Sequence, residues 1–175
     1  MRAGGDGVSA EERDRVFRRS YASVTGSVRE ARLIRLERSY RFSAAHLYRR
    51  PEWSDEENER RFGKCAWPPG HGHNYRLTIA VAGEVDPETG FVVDLVELDA
   101  LVEAQVLQPL DHRHVNHAIE EFALGRKVPT SENLVLWIRD RLVGRLPAGC
   151  RLDSVRLAED DDLGAIWRAE REVRA

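Results

Sequence analysis

Cysteine, lysine and long apolar runs are all scarce in this chain. Cys65 and Cys150 are its two cysteines, too few for a disulfide framework, although one bridge between them stays open. No apolar stretch approaches the ~20 residues that a membrane span needs, and nothing near the N-terminus has the apolar core of a secretory signal. The expected setting is therefore cytoplasmic and reducing, with no membrane partner. Lysine occurs only at Lys64 and Lys127, so the basic residues are nearly all arginine. Arginine forks for carboxylate or phosphate are one explanation, and a coding bias is the more economical one. A net charge of -3 excludes a general attraction to nucleic acid. No repeat with a period of about 20 to 50 residues is present.

What the chain does have is enough for one domain. Its 175 residues, 42% of them hydrophobic and 33% charged, describe a globular protein with a core of ordinary size and an appended N-terminal stretch. Residues 1–30 read as that extension: glycine-rich at first, then a short helical arm opened by the capping pattern Ser9-x-x-Glu12, with Val16, Phe17 and Tyr21 as packing residues. Residues 31–175 form the domain. From Ile34 the pattern has period two, placing Ile34, Leu36, Tyr40 and Phe42 on one face, with Arg38 interrupting them and Ala44 and His46 continuing the parity. The charged segment 47–64 reads as a long loop in which Ser54-x-x-Glu57 starts a turn of helix. A second strand runs from Tyr75 to Ala82, with Tyr75, Leu77, Ile79 and Val81 on the face of His71 and His73.

Helices follow. Asp94-x-x-Glu97 caps one whose stripe is Leu95, Leu98, Val102 and Val106, and Pro109 stops it. Pro129-Thr130-Ser131 begins another, carried inward by Leu134, Trp137, Ile138 and Leu142 and closed near Gly144. Two short alternating runs, one with Val155 and Leu157, the other with Ala165 and Trp167, join through a turn at Asp160-Asp161-Asp162. The order is ββααββ. It predicts an α+β protein with an antiparallel sheet and its helices on one face.

The chemistry concentrates in Cys65-Ala-Trp-Pro-Pro-Gly-His71-Gly-His73-Asn-Tyr75, which presents a thiol and two imidazoles at the mouth of a strand. Alternation puts His71 and His73 on one face, with Gly72 leaving the backbone free to adjust. His46 on the paired strand completes a three-histidine zinc site whose fourth position stays open for water or substrate. If Cys65 were instead a fourth ligand, the site would be closed and structural. Otherwise Cys65, beside Lys64 and a cation, is a thiolate with a lowered pKa or simply a buried, inert thiol. Asp111-His112 has the residue types of an acid that orients an imidazole, although adjacent side chains often point apart. His112, His114 and His117 form a rival metal cluster on a segment read as having no strand or helix to hold it.

Taken together, Phe42-Ser-Ala-Ala-His46, Cys65-x5-His71-Gly-His73-Asn-Tyr, Gly90-x3-Asp94, Leu110-Asp-His112, Pro129-Thr-Ser-Glu-Asn133 and Glu159 resemble the family of 6-pyruvoyl and 6-carboxytetrahydropterin synthases, in order from about Ile34 to Glu170. The resemblance implies the tunnelling fold (T-fold), with ββααββ subunits forming trimeric barrels that stack into a homohexamer. It implies 7,8-dihydroneopterin triphosphate as substrate and Zn2+ held by His46, His71 and His73. Cys65 would be the proton-transferring thiolate, with Asp111 and His112 supplying a relay from a neighbouring subunit. Glu159 would anchor the pterin through its amino group and ring N–H, with Thr130, Ser131 and Glu132 lining the same pocket. A carboxylate suits such a two-donor edge. Asp160 stands where the family often has Thr, and Val115 where it has Leu. The five residues between Cys65 and His71 resemble the pyruvoyl-forming branch, whereas carboxy-forming enzymes often have three. Bacterial relatives assigned to the carboxy branch also show the longer spacing. With the arginine bias taken as the mark of a GC-rich bacterial source, the expected reaction is the carboxy-forming one of queuosine biosynthesis, releasing acetaldehyde and triphosphate. The alternative eliminates triphosphate and keeps the three-carbon side chain. A remoter one is a zinc-stapled binding protein without turnover.

Overall fold

The computed structural model describes residues 33–170, and the arm expected between Ser9 and Tyr21 lies outside them. Strand β1 (Leu33–His46) and strand β2 (His71–Glu84) lie side by side, followed by β4 (Cys150–Ala158) and β5 (Gly164–Arg168). A two-residue strand, β3 (Arg113–His114), lies on the outer side of β1, giving the order β3-β1-β2-β4-β5. The β2–β4 and β4–β5 pairs are antiparallel, but β3 runs parallel to β1, pairing Ala44 with Arg113 and Ala45 with His114. The sheet is therefore mixed, not purely antiparallel. A pairing of two residues carries no periodicity of its own, so nothing in the sequence marks it.

The expected alternation sets the buried face. Phe42, Ala44 and His46 of β1 are buried, as are Tyr75, Leu77, Ile79 and Val81 of β2, and Phe42 stacks on Tyr75 at 5.0 Å. Arg38, the interruption on that face, is satisfied from the helix layer. Its guanidinium forks onto Asp99 at 3.0 and 2.7 Å, and the Tyr40 hydroxyl donates to the same carboxylate at 2.8 Å. The neighbouring strands β2 and β4 are in register from Arg76↔Ala158, with a bulge between Ala80 and Val81. That register sets Glu159, the residue after β4, beside Tyr75.

Helix α1 (Asp55–Phe62) and a 3-10 turn (Gly63–Ala66) occupy the segment read as a loop, with Ser54 Oγ accepting from Glu57 N as the capping pattern required. Helix α2 (Leu95–Val102) is capped by Asp94, which accepts from Val96 N at 2.7 Å. It does not stop before Pro109. The backbone widens into a π turn over Glu103–Leu107 and completes one more turn over Gln108–Leu110. A proline lacks the N–H and crowds the carbonyl four residues back, and the wider turn accommodates it. Leu98, Val102, Val106 and Leu110 thus form the buried stripe, while Leu95 at the helix start is exposed. Helix α3 (Val115–Ala118) is a single turn. Helix α4 (Ser131–Leu142) is capped by Thr130 and buries Leu134, Trp137, Ile138 and Leu142. Both cysteines are free, and among the described residues no helix is long and apolar enough to cross a membrane.

Candidate metal centre and active site

His46 ends β1 and His71 opens β2, so the hairpin partners deliver their imidazoles to one place. The three rings form a near-equilateral triangle: His46–His71 4.8 Å, His46–His73 4.9 Å and His71–His73 4.7 Å between centroids. The glycine this geometry requires is Gly70 rather than Gly72. Gly70 has φ +103°, and a Cβ there would lie 2.2 Å from the His46 carbonyl oxygen, whereas one at Gly72 would make only ordinary contacts.

Burial favours the neutral, metal-binding state of His46 and His71. His46 is 0% exposed, and burial first, then the charges of His73 and His71, lower its pKa to about 3. Burial and His73 also lower the pKa of His71. Neutral imidazoles keep a lone pair for a ligand. His46 Nε2 and His73 Nε2 are buried with no hydrogen-bond partner, the mark of donors awaiting an ion. The Tyr75 hydroxyl lies 2.9 Å from His46 Nδ1, so Nδ1 can carry the proton and leave Nε2 free. The residues therefore fit a metal ion with nitrogen ligands.

Two further groups crowd the triangle. Cys65, in the 3-10 turn, has its Sγ 3.9 Å from His71 Nε2. Its ligand atom and those of His46 and His71 lie within 4.8 Å of one another, as do those of His46, His73 and Glu159. The expected lowering of the Cys65 pKa by Lys64 is not found. Burial and then the Glu159 charge push it up, against a smaller lowering by a backbone hydrogen bond, and a bound cation would oppose that rise. Glu159 is 5% exposed, receives a hydrogen bond from the Tyr48 hydroxyl at 2.9 Å on Oε1, and lies 3.7 Å from His46 Nδ1. Burial and the Glu159 charge raise the pKa of both Tyr48 and Tyr75, so both phenols remain donors.

Asp111 and His112 sit on the outer edge of β1. Adjacent side chains do converge here, because His112 adopts φ +56°, which swings its Nδ1 to 2.9 Å from Asp111 Oδ1. The same oxygen accepts from Ser43 N at 2.9 Å, and this bond, then His112, lowers the Asp111 pKa. An open depression of about 660 Å³ is lined by His73, Tyr75, Asp111, His112 and Glu159. Thr130, Ser131 and Glu132 lie outside it, at the start of α4, where Ser131 Oγ is buried and unpartnered.

The rival cluster is better ordered than its sequence suggested, since β3 and α3 hold it and the His114 and His117 rings stack at 4.4 Å. Yet His112 is turned to Asp111, and His114 Nε2 donates to the Pro69 carbonyl at 3.0 Å. Among the described residues, His112, His114 and His117 do not bring ligand atoms together. Sequence reasoning missed Tyr48, Tyr75 and Gly70. The parity of Tyr75 with His73 was the one signal that could have found any of them.

The profile of the family described as 6-pyruvoyl tetrahydropterin synthase matches residues 35–170. The 6-pyruvoyl tetrahydrobiopterin synthases of Pongo abelii and Homo sapiens are 41% and 40% identical over 135 residues, spanning 77% of this chain and 91% of each of theirs. The solved 6-pyruvoyl tetrahydropterin synthase of Caenorhabditis elegans aligns with a TM-score of 0.72 at 34% identity, covering 79% of this chain and 96% of that one. The fold is thus the expected T-fold. The expected carboxy-forming, queuosine-pathway reaction is overturned, because these relatives carry the pyruvoyl-forming name. Arginine bias reports on coding and says nothing of chemistry, whereas the five-residue spacing from Cys65 to His71 belongs to the site itself. On this match of profile, sequence and structure, the chain belongs to the 6-pyruvoyl tetrahydropterin synthase family.

Proposed function

We propose that this protein is a zinc-dependent 6-pyruvoyl tetrahydropterin synthase, which eliminates triphosphate from 7,8-dihydroneopterin triphosphate and keeps the three-carbon side chain. The observation that carries the reading is the triangle of three imidazoles, with His46 Nε2 and His73 Nε2 buried and unpartnered and Cys65 Sγ 3.9 Å from His71. His46, His71 and His73 would hold the ion, which would supply Lewis-acid polarisation of the bound side chain and so acidify its neighbouring carbon. Cys65 takes the proton from that carbon, and His112, oriented by Asp111, relays a proton. Glu159 accepts from the amino group and ring N–H of the pterin.

Thr130, Ser131 and Glu132 line the pterin pocket from a neighbouring copy, which accounts for their absence from the depression that Glu159 lines within one chain. The same assembly, a dimer of trimers, brings His112 to the next subunit. Two features support it. Among the described residues β5 is an edge strand, and on its outer side β1 is paired only at Ala44 and Ala45, which leaves edges for another copy. The Asp111–His112 pair lies on that open edge, with its ring 80% exposed. Residues 31–175 are the synthase domain, working in the cytoplasm.

Incubating the protein with 7,8-dihydroneopterin triphosphate and identifying the product by mass tests this. Inorganic triphosphate together with a pterin retaining three side-chain carbons is expected, and acetaldehyde release would overturn it. The proximity of Cys65 to His46 and His71 also suits a closed, structural site. Cys65→Ala separates the two: in the catalytic reading the metal stays and turnover is lost.

A further inference from the structure

The segment between β1 and β2 is too well ordered to be a plain connection. Asn58 is fully buried and ties the segment to itself: its carbonyl accepts from Arg50 N at 2.8 Å, and its amide donates to the carbonyls of Arg50, Trp53 and Ser54 at 3.0, 3.2 and 3.0 Å. An aromatic column then runs toward the metal ligands. Trp53 stacks on Phe62 at 5.7 Å, Phe62 meets Tyr48 edge-on at 6.0 Å, and Tyr48 lies 4.4 Å from the His46 ring. The Tyr48 backbone is pinned as well, its N–H donating to the Cys65 carbonyl at 2.8 Å. Everything in the segment converges on one phenol, whose hydroxyl donates to Glu159 Oε1 at 2.9 Å.

Glu159 thereby faces two ways. Oε1 is held by Tyr48 and lies 3.7 Å from His46 Nδ1, an electrostatic neighbour rather than a hydrogen-bond partner. Its carboxylate also lines the open depression. The hydrogen-bond partner of His46 Nδ1 is the Tyr75 hydroxyl, and the Glu159 charge beside them adds to the basicity of the ring; disturbing the groups behind a ligating histidine typically costs up to about 10- to 100-fold in metal affinity. A carboxylate free to rotate would do neither job well.

We propose that residues 47–66 form a bracket that makes Tyr48 a positioning residue: its hydroxyl fixes Glu159 so that Oε1 supports His46 while Oε2 faces the donor edge of the ligand. This rests on the pterin synthase reading above. The bracket couples the metal and the pterin through one carboxylate.

Tyr48→Phe removes the hydroxyl and keeps the ring against His46 and Phe62. The full-length variant and wild type are compared in cobalt(II) affinity by chelator competition, in the visible absorption bands of bound cobalt, and in neopterin binding by fluorescence. The variant is expected to bind neopterin about 10-fold more weakly and cobalt at least about 5-fold more weakly, with shifted cobalt bands. Phe62→Leu, which loosens the bracket but keeps the hydroxyl, should move both affinities the same way by a smaller factor of about 3. Affinities within about twofold of wild type and unchanged bands in Tyr48→Phe overturn the proposal. If wild type takes up cobalt but not neopterin, the pterin reading fails and the cobalt arm decides alone: weaker, shifted cobalt supports the bracket and unchanged cobalt sinks it. Should Tyr48→Phe fail to fold, Glu159→Gln takes its place. Weakening of cobalt and neopterin together supports the coupling, and loss of neopterin alone refutes it.

Discussion

Two groups of ionisable side chains meet the C-terminal end of β1 under opposite conditions. The imidazoles of His46, His71 and His73 converge on the inner face, where His46 is fully buried and its Nδ1 already has the Tyr75 hydroxyl as a partner. Asp111 and His112 sit on the open edge of the same strand, paired to each other and largely exposed. Burial lowers the pKa of His46 and of His71 in the first group, and all three of its rings come from this one chain. The second is held by the left-handed backbone of His112, by the bond from Ser43 N to Asp111 and by those from His112 N to Ser43 O and Asp111 N to Leu107 O, and among the described residues the His112 ring stays exposed. The difference separates a half that converges within one chain from a half that, in the proposed assembly, would meet a neighbouring copy.

The strongest way to break this contrast is to remove the finished half. His46→Ala deletes a buried ligand with its lone pair, and metal uptake and turnover should both disappear, turnover by at least about 10³-fold, as measured by metal analysis and product formation. Stripping the metal from wild type with a chelator should do the same, reversibly on adding zinc. Cys65→Ala should lower turnover by about 10³-fold while the metal stays, since in the proposed mechanism the thiol transfers a proton and coordination is left to three imidazoles. Loss of the metal in that variant would make Cys65 a ligand and the site structural.

The exposed half is tested by sharing. His112→Ala should cost about 10²-fold in turnover, within the usual range for a proton-transferring side chain. If each site takes Cys65 from one copy and His112 from the next, dissociating and reassociating equal amounts of Cys65→Ala and His112→Ala protein should rebuild about a quarter of the sites. Hybrids with no recovered activity would mean that each chain uses its own dyad.

The buried half was also the legible half. Period two in Phe42, Ala44 and His46, and again in His71, His73 and Tyr75, places three imidazoles on one face of a hairpin, because a strand has only two faces to offer. The caps of Ser54, Asp94 and Thr130 were readable for a similar reason, as each is a local bond between residues two or three apart. Pairings between distant residues left no trace. The parallel bridge of β3, the φ of His112 and the bond from Tyr48 to Glu159 depend on where the chain has already gone, as does the π turn that carries α2 past Pro109. Beyond the Ser54 cap the segment 47–64 reads as a loop, because its order comes from one buried asparagine and an aromatic column, neither of which is periodic.

Acid provides the finest test, because it acts on the two halves in different pH ranges. His46 has a folded pKa of about 3, below the ordinary histidine value of about 6.5 that it regains on unfolding. Between those values the unfolded chain binds more protons than the folded one, so stability rises with pH, is complete above the unfolded value and falls away as pH drops toward 3. At pH 5 the contribution of this one imidazole is about 2 kcal/mol smaller than at pH 7.5. His71 is shifted in the same direction and adds to the slope. The lowered pKa of Asp111 acts only in more acidic solution, below the ordinary carboxylate value, and it belongs to an exposed group whose effect solvent screens. Urea unfolding of chelator-treated protein at the two pH values should therefore report the buried imidazoles alone. His46→Asn should flatten the profile by most of that difference while Asp111→Asn leaves it unchanged between these pH values, and equal flattening by both would erase the distinction between a buried half and an exposed one.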